Sequence, residues 1–184
     1  MVKIKDIVVE KNLYDRVLNI LGEHKGRVSN KDVDKGLEVA LAENFYGNLK
    51  TIRGSLKEED ICEDIDIYVN DMPIQVKCRR DSYIYIEDFK VRNFQRIPGW
   101  ADRSKSSYTL YISPKENNTL HFIEISENEL KELLKISRKY QKGEKLDSKE
   151  YKILDNYKGP PSYCGKDLKG EKDSIGKYFK FGPF

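Results

Sequence analysis

The most constraining feature of the sequence is a pair of alternating runs, Ile65-Asp66-Ile67-Tyr68-Val69 and Met72-Pro73-Ile74-Gln75-Val76-Lys77-Cys78, separated only by Asn70-Asp71. Two residues that tolerate a left-handed backbone, placed between two alternating apolar runs, specify a β-hairpin with a tight turn. A two-residue turn sets the register. Val69 then pairs with Met72, Tyr68 with Pro73, Ile67 with Ile74, Asp66 with Gln75, Ile65 with Val76 and Asp64 with Lys77. Successive side chains of a strand point to opposite faces, so Ile65, Ile67, Ile74 and Val76 form an apolar back for burial. Asp64, Asp66, Gln75 and Lys77 form a charged front. Pro73 has no amide hydrogen, so its nitrogen is expected to face an unpaired side of the strand.

The rest of the chain supplies layers for this hairpin. Leu13, Val17, Leu18, Ile20 and Leu21 recur at helical spacing after Asn12, with Gly22 as the closing residue. A stronger helix is expected with Ser29 as cap, Asp32 completing a capping box, and Val33, Leu37, Ala40, Leu41 and Phe45 as the stripe. Gly47 stops it, and Glu38 and Glu43 are read as lying off the centre of the stripe. Strands are predicted over Leu49 to Arg53, Tyr108 to Ile112 and Leu120 to Ile125, with a turn at Glu116-Asn117-Asn118, and Tyr83 to Ile86 either continues the strand before it or forms another. A short helix is predicted between Asp88 and Arg96. Another runs from a capping box at Ser126 and Glu129 to about Tyr140. This order predicts an α+β fold (an α/β sandwich) with a central mixed β-sheet flanked by helices. The expected organisation is a core domain over 1–140 and a basic, aromatic-containing tail over 141–184.

Mg²⁺ prefers hard oxygen ligands and is held through one or two carboxylates plus substrate phosphate. Asp66 offers a carboxylate, Gln75 a neutral amide oxygen, and Lys77 an ammonium that can position water and offset charge on a pentavalent phosphoryl transition state. The front of the hairpin therefore suits phosphodiester hydrolysis.

Asp66 with Gln75-Val76-Lys77 resembles the signature of the PD-(D/E)XK nuclease superfamily, in which an Asp precedes a (D/E/Q)-x-K strand. Ile74-Gln75-Val76-Lys77-Cys78-Arg79 is similar to the variant of Mrr-type restriction endonucleases and PD-(D/E)XK homing endonucleases, where Gln replaces the second acid. Archaeal Holliday-junction resolvases are similar in architecture. The likeness covers roughly Val33 to Ile125. It implies a restriction-endonuclease-like fold and a Mg²⁺-dependent (or Mn²⁺-dependent) deoxyribonuclease that leaves a 5′-phosphate, acting as a homodimer where two strands are cut. It also implies a helical acid, mapped to Glu38 with Glu43 as the alternative. The signature's Pro is absent before Asp66, where Cys62-Glu63-Asp64-Ile65 stands instead, and Asp64 competes with Asp66 as metal ligand.

Arg79, Arg80 and Arg96, with Arg92 and Arg103, are candidate phosphate contacts, because a net charge of only +3 requires that attraction to nucleic acid be local. RNA fits this chemistry as well as DNA. Gln95 is read as a surface residue and Trp100 as a core anchor rather than a base-stacking platform. A nucleic-acid-binding protein that keeps the fold without catalysis is the alternative, since Gln75 in place of an acid weakens a cation site. Cys62, Cys78 and Cys164 lack CxxC spacing and are read as reduced thiols. No apolar run approaches the roughly 20 residues that span a bilayer, and the first residues lack a signal-peptide core, so no membrane partner and a cytoplasmic location are expected.

Overall fold

A computed structural model describes residues 2–23, 35–47, 50–56, 64–92, 95–167 and 175–184. In chain order the elements are β1 (Lys3–Val8), α1 (Lys11–Glu23), α2 (Lys35–Tyr46), β2 (Ile52–Gly54), β3 (Ile67–Val69), β4 (Met72–Cys78), β5 (Ile84–Arg92) and β6 (Gln95–Pro98). Then follow α3 (Trp100–Arg103), β7 (Tyr108–Pro114), β8 (Thr119–Ser126), α4 (Glu127–Gln141), α5 (Ser148–Asn156), β9 (Ser162–Asp167) and β10 (Ile175–Phe181). The fold is α+β, as the order of sequence patterns predicts. No helix among the described residues is long and apolar enough to cross a membrane.

The elements divide into two compact units. The first comprises 1–81 and 104–127 and carries a six-stranded mixed sheet in the order β1-β8-β7-β4-β3-β2. β4 runs antiparallel to β3 and parallel to β7, which pairs antiparallel with β8. One face of this sheet presents Ile67, Val69, Ile74, Val76, Leu110, Ile112, Leu120 and Phe122. Leu13, Val17 and Leu21 of α1 and Leu37, Leu41, Ala42 and Phe45 of α2 complete the core on that face. Burying each large side chain contributes about 1.5–3 kcal/mol, so this layer is the main stabiliser of the unit.

The turn forms as predicted: Asn70 and Asp71 have φ of 47° and 64°, and Ile67, Tyr68 and Val69 pair with Ile74, Pro73 and Met72. Parallel pairing with β7 begins at Ile74, one residue after Pro73, where an amide donor is again present. Asp71 is exposed and carries a side chain in a region that favours glycine. Asp71→Gly is expected to raise stability by about 0.5–1 kcal/mol, by removing strain at this turn. An unchanged or lower denaturant midpoint for the variant would contradict this account of the turn.

The second unit comprises 82–103 and 128–184 and carries an antiparallel sheet in the order β6-β5-β10-β9. Three expectations are corrected here. The predicted helix at Asp88 to Arg96 is instead strand on both sides of 93–94, which lie outside the described residues: β5 continues to Arg92, pairing with β10 along Ile84 to Val91 and with β6 along Phe89 to Arg92. The stretch 141–184 is not a tail, because it contributes α5, β9 and β10, with Phe179 and Phe181 fully buried. Gly22 lies inside α1 rather than closing it. Asp88, itself buried, accepts from Arg138 Nε at 2.6 Å and from the Tyr163 hydroxyl at 2.9 Å. Trp100 is buried as a core residue, and its amide donates to Glu87 Oε2 at 2.9 Å.

Candidate functional site

β3 is shorter than the alternation predicts, and its end places the first site residue. The Asp66 amide still donates to the Ile74 carbonyl at 3.0 Å. One step further the ladder is replaced by a side chain: Asp66 Oδ2 accepts from the Val76 amide at 2.6 Å. A short acidic side chain that captures a backbone amide competes directly with strand pairing. The predicted pairs Asp66 with Gln75, Ile65 with Val76 and Asp64 with Lys77 therefore do not form. Asp66 sits where the strands part, its carboxylate on the amide of the residue between Gln75 and Lys77.

Asp64 leaves the strand altogether. Its φ is 54°, and its backbone carbonyl accepts from Ser106 Oγ at 2.9 Å. Asp66 is bonded to β4 through the Val76 amide.

Gln75 and Lys77 alternate with Ile74 and Val76, so they occupy the sheet face opposite the α1 and α2 layer. Their β7 neighbours are Thr109 and Tyr111. Gln75 is 2% exposed, and its Oε1 is buried with no hydrogen-bond partner among the described residues. Such an orphaned acceptor costs about 1–3 kcal/mol unless something donates to it or coordinates it. The same face holds a carboxylate that sequence reasoning missed: buried Glu127, whose Oε1 accepts from Thr109 Oγ1 at 2.6 Å. Burial holds the Tyr111 phenol above its ordinary range, Arg79 opposes this and Glu127 adds to it, so both charges lie near that ring.

Glu38 and Glu43 are separated clearly. Glu38 is 6% exposed and shares the buried side of α2 with Leu41, Ala42 and Phe45, contrary to the expectation that it lies off the stripe. Glu43 is exposed. A buried glutamate needs a compensating charge, and Lys35 supplies one: its Nζ lies 3.6 Å from Glu38 Oε2. The same ammonium donates to Ser55 Oγ at 3.0 Å and to the Asp66 carbonyl at 3.4 Å. Glu38 and Asp66 are thereby brought to one neighbourhood. The Cys78 thiol registers both: burial pushes its pKa up to about 12, Glu38 and Asp66 add to the rise, and Arg79 opposes it. Cys78 and Cys164 are free thiols, while Cys62 lies outside the described residues, as do Ser29, Asp32 and Val33.

The candidate phosphate contacts scatter. The Arg80 guanidinium donates to the Leu21 carbonyl in the last turn of α1, with Nε at 2.9 Å, which is a helix-end contact. Arg79 sits beside the site, its amide paired to the Ile112 carbonyl at 2.8 Å. Arg96 is exposed on β6 and stacks on Phe89 at 3.8 Å.

Among the described residues no group of three or more His, Cys, Asp and Glu is placed to hold a metal. The candidate ligands divide instead, with Asp66 at the parting of the strands, buried Glu38 approached from the α2 face, and the orphaned Gln75 amide oxygen on the other face. The Glu38 and Asp66 carboxylates are hard ligands whose chemistry fits Mg²⁺ or Mn²⁺, whereas Gln75 on the opposite face does not join them. No known family model, curated protein or solved structure matches the chain.

Proposed function

We propose that the protein is a metal-dependent deoxyribonuclease of the PD-(D/E)XK kind, acting in the cytoplasm on DNA as a homodimer. The observation that carries this reading is the Asp66 carboxylate, held at 2.6 Å from the amide between Gln75 and Lys77 where β3 and β4 part. Glu38 and Asp66 would hold Mg²⁺ or Mn²⁺, which when bound supplies Lewis acidity at the phosphoryl oxygen, while Gln75 lies on the opposite sheet face and is not one of its ligands. The backbone bond to Val76 fixes the Asp66 rotamer, so that side chain is oriented before substrate arrives. Lys77, two residues along the same face of β4 from Gln75, orients the attacking water and offsets charge that builds on the phosphoryl oxygens. Arg79, beside the site, contacts phosphate, and the product carries a 5′-phosphate.

Wild-type protein is expected to cut DNA with Mg²⁺ or Mn²⁺ and not with chelator. Lys77→Ala is expected to lower the rate by about 10²–10³-fold with an unchanged melting temperature. Equal rates for Lys77→Ala and wild type would overturn the proposal.

A second reading, nucleic-acid binding without catalysis, is favoured by the Lys35 ammonium already lying against Glu38. Tight DNA association together with no heat of Mn²⁺ binding would select it.

A further inference from the structure

Lys35 belongs to none of the motifs read from the sequence, yet its ammonium links the helical acid to Asp66, the residue before β3. Its stem lies over Gly54, where a Cβ would be 3.6 Å from Lys35 Cβ and 3.8 Å from Cδ. Its ammonium reaches a carboxylate, a hydroxyl and a backbone carbonyl: Glu38 Oε2 at 3.6 Å, Ser55 Oγ at 3.0 Å and the Asp66 carbonyl at 3.4 Å. All three are oxygen acceptors, and they come from α2, from the residue after β2 and from the residue before β3. This is the kind of oxygen environment that a hard cation seeks.

We propose that Lys35 is an internal counter-cation of the site, which neutralises Glu38 when no metal is bound and competes electrostatically with the metal for it. The inference rests on the metal-site reading above. A buried carboxylate needs a positive partner, and two positive partners on one carboxylate repel. Lys35 therefore holds Glu38 in place in the metal-free protein, and raises the metal concentration at which the site fills. Lys35 is half-exposed, so its ammonium can turn to water on the flexible stem as the metal arrives. It acts through Glu38 and is a positioning residue.

The test is Mn²⁺ titration of the full chain by calorimetry without nucleic acid, with thermal unfolding in chelator and in Mn²⁺. Lys35→Met keeps the stem and removes the charge. It is expected to melt lower than wild type in chelator, to bind Mn²⁺ about tenfold more tightly, and to gain more from Mn²⁺ in melting temperature. Lys35→Arg retains the charge and is expected to match wild type in affinity, which also shows that the position tolerates substitution. Unchanged or weaker Mn²⁺ binding by Lys35→Met, with wild type binding normally, overturns the role of Lys35 and leaves the metal site standing. If neither protein binds Mn²⁺, both the role and the site fall.

Discussion

Asp66→Asn is expected to cut metal-dependent DNA cleavage by about 10²-fold or more while shifting the unfolding midpoint only slightly. The reason is that Asp66 does two things with one side chain. Its Oδ2 accepts the Val76 amide at 2.6 Å, which replaces a ladder bond at the end of β3. Asparagine has nearly the same shape and retains an oxygen acceptor, so that bond survives. What asparagine lacks is the negative charge, and the metal site would keep Glu38 as its sole carboxylate. Asp66→Ala removes both contributions. It leaves the Val76 amide without its acceptor, adding about 1–3 kcal/mol of destabilisation to the loss of activity. Wild-type cleavage by Asp66→Asn in Mg²⁺ would show that the carboxylate is a strand cap alone.

That double use also explains where the sequence was readable and where it was not. The two-residue turn and three pairs of the register were legible, because alternation and Asn-Asp at the turn leave few other arrangements. The remaining three pairs were not, because a side chain capturing a backbone amide leaves no trace in an apolar pattern. The burial of Glu38 was partly legible: it stands three and four residues before Leu41 and Ala42, on their side of the helix. Lys35 and Glu127 were out of reach, since each enters the site from an element whose placement depends on tertiary packing.

The misread second unit has a different cause. In β5 the buried positions include Glu87 and Asp88, so the apolar pattern stops while the strand continues. Its pairing comes from β10, about ninety residues later in the chain, where Tyr178, Phe179, Lys180 and Phe181 do alternate in burial. The start of α5 was legible in principle, as Asp147 and Glu150 form a reciprocal capping box.

Gly99→Ala is expected to be the most damaging single-methyl change in the second unit, costing more than about 3 kcal/mol. The requirement is for space: an added Cβ would stand 1.8 Å from the Glu87 carbonyl oxygen, 2.5 Å from its carbon and 3.1 Å from the Asp88 carbonyl carbon. All three atoms are backbone, so no rotamer change relieves the clash. Nor can that backbone withdraw easily. Gly99 donates to the Asp88 carbonyl at 3.2 Å, Glu87 Oε2 accepts the Trp100 amide at 2.9 Å, and Glu87 Oε1 accepts from the Tyr178 hydroxyl at 3.2 Å. Relief therefore requires the chain before α3 to part from β5, breaking these bonds and opening buried Trp100 to water. Gly143 of the same unit provides the comparison, with φ of 71° and nothing within 4 Å of an added Cβ. Gly143→Ala meets only the backbone penalty, about 1 kcal/mol. Thermal unfolding should place Gly99→Ala more than about 10 °C below wild type and Gly143→Ala within a few degrees of it. Equal melting temperatures for the two variants would show that β5 and the chain before α3 are not packed as closely as these distances state.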